Sequence, residues 1–304
     1  MTQRIAYFDC FSGASGNMLL GALLDAGLPL VDLEADLAQL GVAGYRLRLE
    51  PKVDQGISGS FFDVVDEAQE HPVRNLHAVE HIIGESGLSD AVKARSLAVF
   101  TRLAEAEARI HAVPVDQIHF HEVGAVDTLV DIVGVVAGLA RLGVEQVYAS
   151  EIPTGSGTIM TQHGRLPVPA PATLALLAAV GAKVVPAPVR AELVTPTGAA
   201  LLAELATFEQ PPMRVLGLGH GFGSKALPWA NMLRVWIGEA ISSPQPRPHE
   251  HAHHEHAHPH PHEGHEHGHE HPHPHDEDAH AHDHEHAPDH DHDHPHTHPH
   301  EGAA

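Results

Sequence analysis

One segment limits the fold more than any other: "GAVDTLVDIVGVVAGLARL", residues 124–142. Read as a helix, it is apolar at Val126, Leu129, Val130, Ile132, Val133, Val135, Val136 and Leu139, which covers most of its circumference. Such a helix is stable only when neighbours bury it on several sides. No apolar run in the chain approaches the ~18 residues of a membrane span, so protein rather than lipid is expected to cover it. Four residues interrupt the apolar surface: Asp127, Asp131, Gly134 and Gly138. Their spacing of four, three and four puts them on one stripe, with the two carboxylates about 5–6 Å apart and two glycines permitting close approach by a ligand or another backbone. Paired, partly buried carboxylates repel unless a cation or a shared proton compensates, and a divalent metal is the obvious compensator. The helix macrodipole alone would account for Asp127 in a first turn, but not for Asp131.

Just upstream stands "HFHE". A strand through residues 118–121 would turn His119 and His121 to the same face, because side chains alternate with period two. Glu122 then faces away but is still a metal-capable neighbour. His119, His121, Glu122, Asp127 and Asp131 are the candidate metal ligands.

The remaining pattern predicts an α/β protein. Residues 4–9 read as a strand and residues 16–27 as a helix ending at Gly27, with Pro29 just beyond. "GYRLRLEPKV" and "GISGSFFDVVDE" read as two strands around a turn near residues 54–56. A long helix is expected from Ser89 as N-cap to about His111. "GTIMTQHGRLPVP" reads as a strand-rich loop, "APATLALLAAVG" and "TPTGAALLAELA" as helices, and "MLRVWIG" as a last strand. Hairpins and crossovers both occur, so the expectation is a mixed sheet with flanking helices, followed by a disordered His-rich tail.

Composition separates that tail from the body. Residues 1–240 form the α/β domain and 241–248 a Pro- and Ser-containing linker, while residues 249–304 hold 24 of the 32 histidines and no Lys or Arg. With almost no large apolar side chains, the tail cannot offset its ordering entropy. Alternating imidazoles and carboxylates suit Ni, Cu or Zn, and without fixed geometry they form a reservoir rather than a catalytic site. The body carries 26 acids against 17 bases. That acidity, with no clustered Lys and Arg, argues against a nucleic-acid partner. With no signal-peptide pattern at the start and one cysteine, Cys10, the sequence reads as a soluble cytoplasmic protein with no membrane partner.

"FDCFSGASGNM", residues 8–18, sets a Ser/Gly turn between strand and helix, where backbone N–H groups suit a phosphate. It lacks the Gly-Lys-Ser/Thr ending of a nucleoside-triphosphate loop, so a phosphomonoester is the economical ligand. A tight turn capped by Ser12 or Ser15 is the simpler alternative. Asp9 and Cys10 could be ligands or plain core. "PTGSGT", "QHGRLPVPAP", "TPTG" and "GHGFGS" are loops of the kind that line clefts, bringing His163, Arg165, His220 and Lys225.

In this order "YFDCFSGASGNMLLGALLD", "HFHEVGAVDTLVDIVG", "PTGSGT", "HGRLPVPAPAT", "TPTGAALL" and "NMLRV" resemble the LarC family, nickel-insertion proteins of nickel-pincer nucleotide cofactor biosynthesis. The resemblance runs from about Ile5 to Gly238. It implies a nickel-insertion lyase acting on pyridinium-3,5-bisthiocarboxylic acid mononucleotide, with Ni2+ delivered to give the cofactor of lactate racemase-type enzymes. Under it, Ser12, Gly13, Ser15, Gly16 and Asn17 bind the phosphate; the carboxylates and histidines hold nickel; and Asp127, Asp131 or His163 takes the ring proton. It also implies CTP with a divalent cation, bound by a C-terminal domain that a separate chain would supply, and a recipient racemase apoenzyme. Asn17 and His220 stand where the family usually has Asp and Tyr. Two other classes fit the same features: a non-catalytic nickel chaperone or store, and a metal-dependent phosphoric ester hydrolase.

Overall fold

The computed structural model describes residues 2–68, 74–118, 126–162 and 164–241. The expected strand with His119, His121 and Glu122, the residue His163, and the linker and tail from 242 onward lie outside the described residues.

Eleven strands and seven helices are described. The strands are β1 (Arg4–Asp9), β2 (Tyr45–Asp54), β3 (Ile57–Asp66), β4 (Gln146–Ala149), β5 (Ile152–Thr154), β6 (Thr158–Thr161), β7 (Gly164–Pro167), β8 (Val184–Pro186), β9 (Ala206–Thr207), β10 (Met213–Phe222) and β11 (Met232–Ala240). The helices are α1 (Gly16–Asp25), α2 (Leu30–Ala38), α3 (Leu76–Glu85), α4 (Asp90–His111), α5 (Val126–Arg141), α6 (Pro171–Ala179) and α7 (Pro196–Leu205). Seven strands form one mixed sheet in the order β2-β3-β10-β11-β1-β4-β9. Strands β1 and β4 are parallel, β11 runs antiparallel between β1 and β10, and β2–β3 is an antiparallel hairpin. The expected mixed α/β architecture is the one observed.

Local chemistry explains the elements. Gln55 and Gly56 both have positive φ, 51° and 79°, which suits the tight turn that joins β2 to β3. Ser89 caps α4, its Oγ accepting the Val92 N–H at 3.4 Å. Thr195 caps α7 through the Gly198 N–H at 3.2 Å, so "TPTG" opens a helix. Thirteen of the sixteen residues of α5 are buried, as its all-round apolar character requires.

Helix α1 lies between the sheet and α5, and glycines make the fit. A Cβ on Gly219 would lie 2.1 Å from the Ala22 carbonyl oxygen, and one on Gly221 would lie 1.9 Å from that of Met18, so α1 rests directly on the β10 backbone. "GHGFGS" is therefore mostly strand and not a cleft-lining loop. On the other side, Gly134 and Gly138 of α5 receive the side chains of Leu20 and Leu28. Those two glycines serve helix packing, where the sequence also allowed a ligand.

Candidate functional site

The same α5 stripe carries Asp131, which meets the first turn of α1. Gly16 allows it: a Cβ there would lie 2.3 Å from Asp131 Oδ2. The carboxylate accepts the backbone N–H of Asn17, is 9% exposed, and among the described residues its Oδ1 is buried with no hydrogen-bond partner. Burial, then the negative charges of Asp127 and Asp63, push its pKa well above the ordinary carboxylate value, while the Asn17 N–H pulls the other way.

One turn earlier, Asp127 stands exposed, its Oδ1 accepting the Thr128 N–H at 2.7 Å. Its pKa is raised, first by partial desolvation, with the Asp66 charge adding to the rise and the Thr128 bond opposing it. Asp63, from β3, completes a group of carboxylates around a cavity of about 330 Å³, whose wall also includes Ser15, Gly16, Asn17 and Thr195. Asp63 holds an ion pair with Arg48 at 3.1 Å. The reading of the sequence missed Asp63, although a charge set inside the apolar run "FFDVV" was the available signal.

Converging carboxylates with an unbonded oxygen attract a divalent cation. Among the described residues no group of three or more His, Cys, Asp or Glu side chains is arranged to hold a metal by itself. Asp127 and Asp131 are thus brought together as expected. The other candidate ligands, His119, His121 and Glu122, and the candidate base His163, lie outside the described residues.

In the Ser/Gly loop expected to bind phosphate, several side chains have partners within the protein. Ser12 is 1% exposed; its Oγ donates to the Ala230 carbonyl at 3.0 Å and accepts the Trp229 indole N–H at 2.8 Å. Gly13, at φ 95°, donates its N–H to the Cys10 carbonyl and has the Leu193 carbonyl oxygen where a Cβ would sit. Both residues hold the fold. Ser15 Oγ donates to Asn17 Oδ1 at 2.6 Å, and Asn17 Nδ2 donates to the Phe62 carbonyl at 3.3 Å. Ser15, Gly16 and Asn17 do line the cavity, but the start of α1 faces a carboxylate.

Cys10 is fully buried and its thiol is pushed up to about 12, by burial first and then by Asp9, so it is core rather than a thiolate ligand. Asp9 is paired with Arg234. His220 bonds the Ser58 carbonyl through Nδ1 at 2.9 Å, and Lys225 donates to the Glu192 carbonyl at 2.8 Å. Arg165 sits on β7 and is not among the residues that line the carboxylate cavity.

Residues 6–266 match the family model described as nickel insertion protein. The chain belongs to the nickel insertion protein family. It is 54% identical over 243 residues to a protein of Thermomicrobium roseum that carries the family's name, covering 80% of this chain and 60% of that one. A namesake from Roseiflexus castenholzii is 52% identical over 236 residues, 78% of this chain and 60% of its own. A third relative, from Desulfitobacterium hafniense, is 49% identical over 241 residues, 78% of this chain and 59% of its own. It is named pyridinium-3,5-bisthiocarboxylic acid mononucleotide nickel insertion protein. The chain spans about three fifths of the length of these curated relatives. No solved structure matches it. Among the described residues, no helix of this nickel insertion family member is long and apolar enough to cross a membrane.

Proposed function

We propose that this chain inserts nickel into pyridinium-3,5-bisthiocarboxylic acid mononucleotide, yielding the nickel-pincer cofactor of racemases of the lactate racemase type. Asp131 is the observation that carries the reading: a buried carboxylate with an unbonded oxygen, beside Asp127 and Asp63, is costly as an anion, and a bound cation offsets that cost. Family membership and the name of the Desulfitobacterium relative support the choice of nickel and of the substrate.

In this mechanism Asp127 and Asp131 hold Ni2+ through oxygen, with His119, His121 and Glu122 as the further donors offered by the sequence. Oxygen and imidazole donors exchange readily, so the softer thiocarboxylate sulfurs draw the ion onto the substrate. The ring C–H between the two thiocarboxylates then breaks. Its electron pair forms the Ni–C bond, and its proton passes to a carboxylate or to His163. A recipient racemase apoenzyme takes the product. CTP and a separate chain corresponding to the rest of the relatives' length are further requirements of this reading.

The test combines the full chain with nickel, CTP and the mononucleotide, with and without the remaining portion of a longer relative, and looks for the metallated product by mass. Product is expected from the wild-type chain under at least one condition. It should be lost in the Asp127→Asn/Asp131→Asn double variant while circular dichroism stays native. Product formation by the double variant at the wild-type rate would remove these carboxylates from the chemistry.

A further inference from the structure

The cavities at this end of the sheet adjoin. The carboxylate cavity shares Ser15, Asn17 and Thr195 with a smaller one of about 130 Å³ that reaches Lys225 and Asn231. That one shares Ser224 with a third, of about 350 Å³, over Lys52 and Phe61. They make one groove that begins at three carboxylates and ends at a lysine.

Lys52 is held in place. Its ammonium donates to the Gly223 carbonyl at 2.8 Å and lies 5.5 Å from the ring centroids of both Phe61 and Phe222. Among the described residues no carboxylate lies within ion-pair distance of it. Arg48 and Glu50 line the same cavity, but Arg48 is turned to Asp63 at 3.1 Å, with Glu50 at 3.8 Å. Ring faces and one carbonyl offset only part of the cost of taking an ammonium from water, and two of its N–H groups are left for an anion. In the β2–β3 register Lys52 faces Gly59 and Arg48 faces Asp63. Four residues of strand, about 13 Å, therefore separate the lysine from the acidic end. That is the scale of an extended mononucleotide.

We propose that the groove binds the phosphate of an aromatic mononucleotide at Lys52, with the Ser224 hydroxyl beside it, while the ring reaches the carboxylate cavity. Ser15, Asn17 and Asn231 line the stretch between the two ends. The phosphate site is thus at the far end of the groove from the Ser/Gly loop. This inference rests on the substrate reading above for what sits at the acidic end, and it adds which residues fix the other end.

The experiment measures equilibrium binding to the full chain of the pyridinium bisthiocarboxylic acid mononucleotide, of the same compound after phosphatase treatment, and of nickel alone. The wild-type chain should bind the nucleotide more tightly than the dephosphorylated form. Lys52→Met, which keeps a hydrocarbon chain between the two rings, should weaken nucleotide binding by about tenfold to a hundredfold, the scale of a charge-assisted hydrogen bond. Binding of the dephosphorylated compound and of nickel should stay unchanged, and Lys52→Arg should recover part of the loss. Unchanged nucleotide affinity in Lys52→Met, or an equal loss for both compounds, overturns the proposal. A wild-type chain that binds neither compound instead overturns the substrate reading, and this proposal with it.

Discussion

At the scale of single residues, Asp131 is the costliest group in the cavity. Its folded pKa lies above the value it has unfolded, so between the two the folded state binds the extra proton. Stability therefore falls as pH rises through that window, and it is unpenalised below the ordinary carboxylate range. Asp131→Asn removes the penalty. In metal-free protein the variant is expected to melt above wild type at neutral pH, by about 2–4 °C for each ~1 kcal/mol recovered. The difference should close as pH is lowered to the ordinary carboxylate range, as followed by thermal melts across a pH series. A variant that melts below wild type at neutral pH would mean that the Asn17 N–H bond outweighs the desolvation.

At the scale of elements, β10 and α1 are coupled through missing side chains. Gly221→Ala pushes a methyl to 1.9 Å from a backbone oxygen that cannot move without the helix, so urea unfolding should reveal a loss of about 3 kcal/mol or more. Gly217→Ala, with nothing within 4 Å, should change stability by less than about 0.5 kcal/mol. Those glycines also explain which elements were legible in the sequence. The β2–β3 hairpin, α4 with its Ser89 cap, α7 with its Thr195 cap and the terminal strand β11 all carry periodic apolar residues between turn or cap signals. In β10, Gly217, Gly219 and Gly221 stand where inward apolar side chains would, so the strand has no apolar alternation to read. The short helix α2 starts after Pro29 with no side-chain cap, and the short strand β4 has too few residues to establish a period. Asp131 was legible as a polar break in an otherwise apolar helix. That Ser12 and Gly13 would be consumed by Trp229, Ala230 and Leu193 was not, since those partners lie more than 170 residues away.

At the scale of the whole molecule, the body and the His-rich tail carry different chemistry. Deleting residues 249–304 removes 24 histidines while leaving the carboxylate cavity in place. Calorimetric titration should then give a much lower nickel stoichiometry. Product formation should persist at saturating nickel and fall only when nickel is scarce; its loss at saturation would favour the store over the insertion reading. The sheet carries a last consequence. Its first strand, β1, is bonded along its whole length to its last, β11, at the centre of the sheet. The contact joins residues more than 220 positions apart, so closing it comes late and slowly. A ribosome must have released nearly the entire body before the middle of the sheet can assemble, and a nascent chain stopped short of Met232 leaves β1 with an open edge available for wrong pairing.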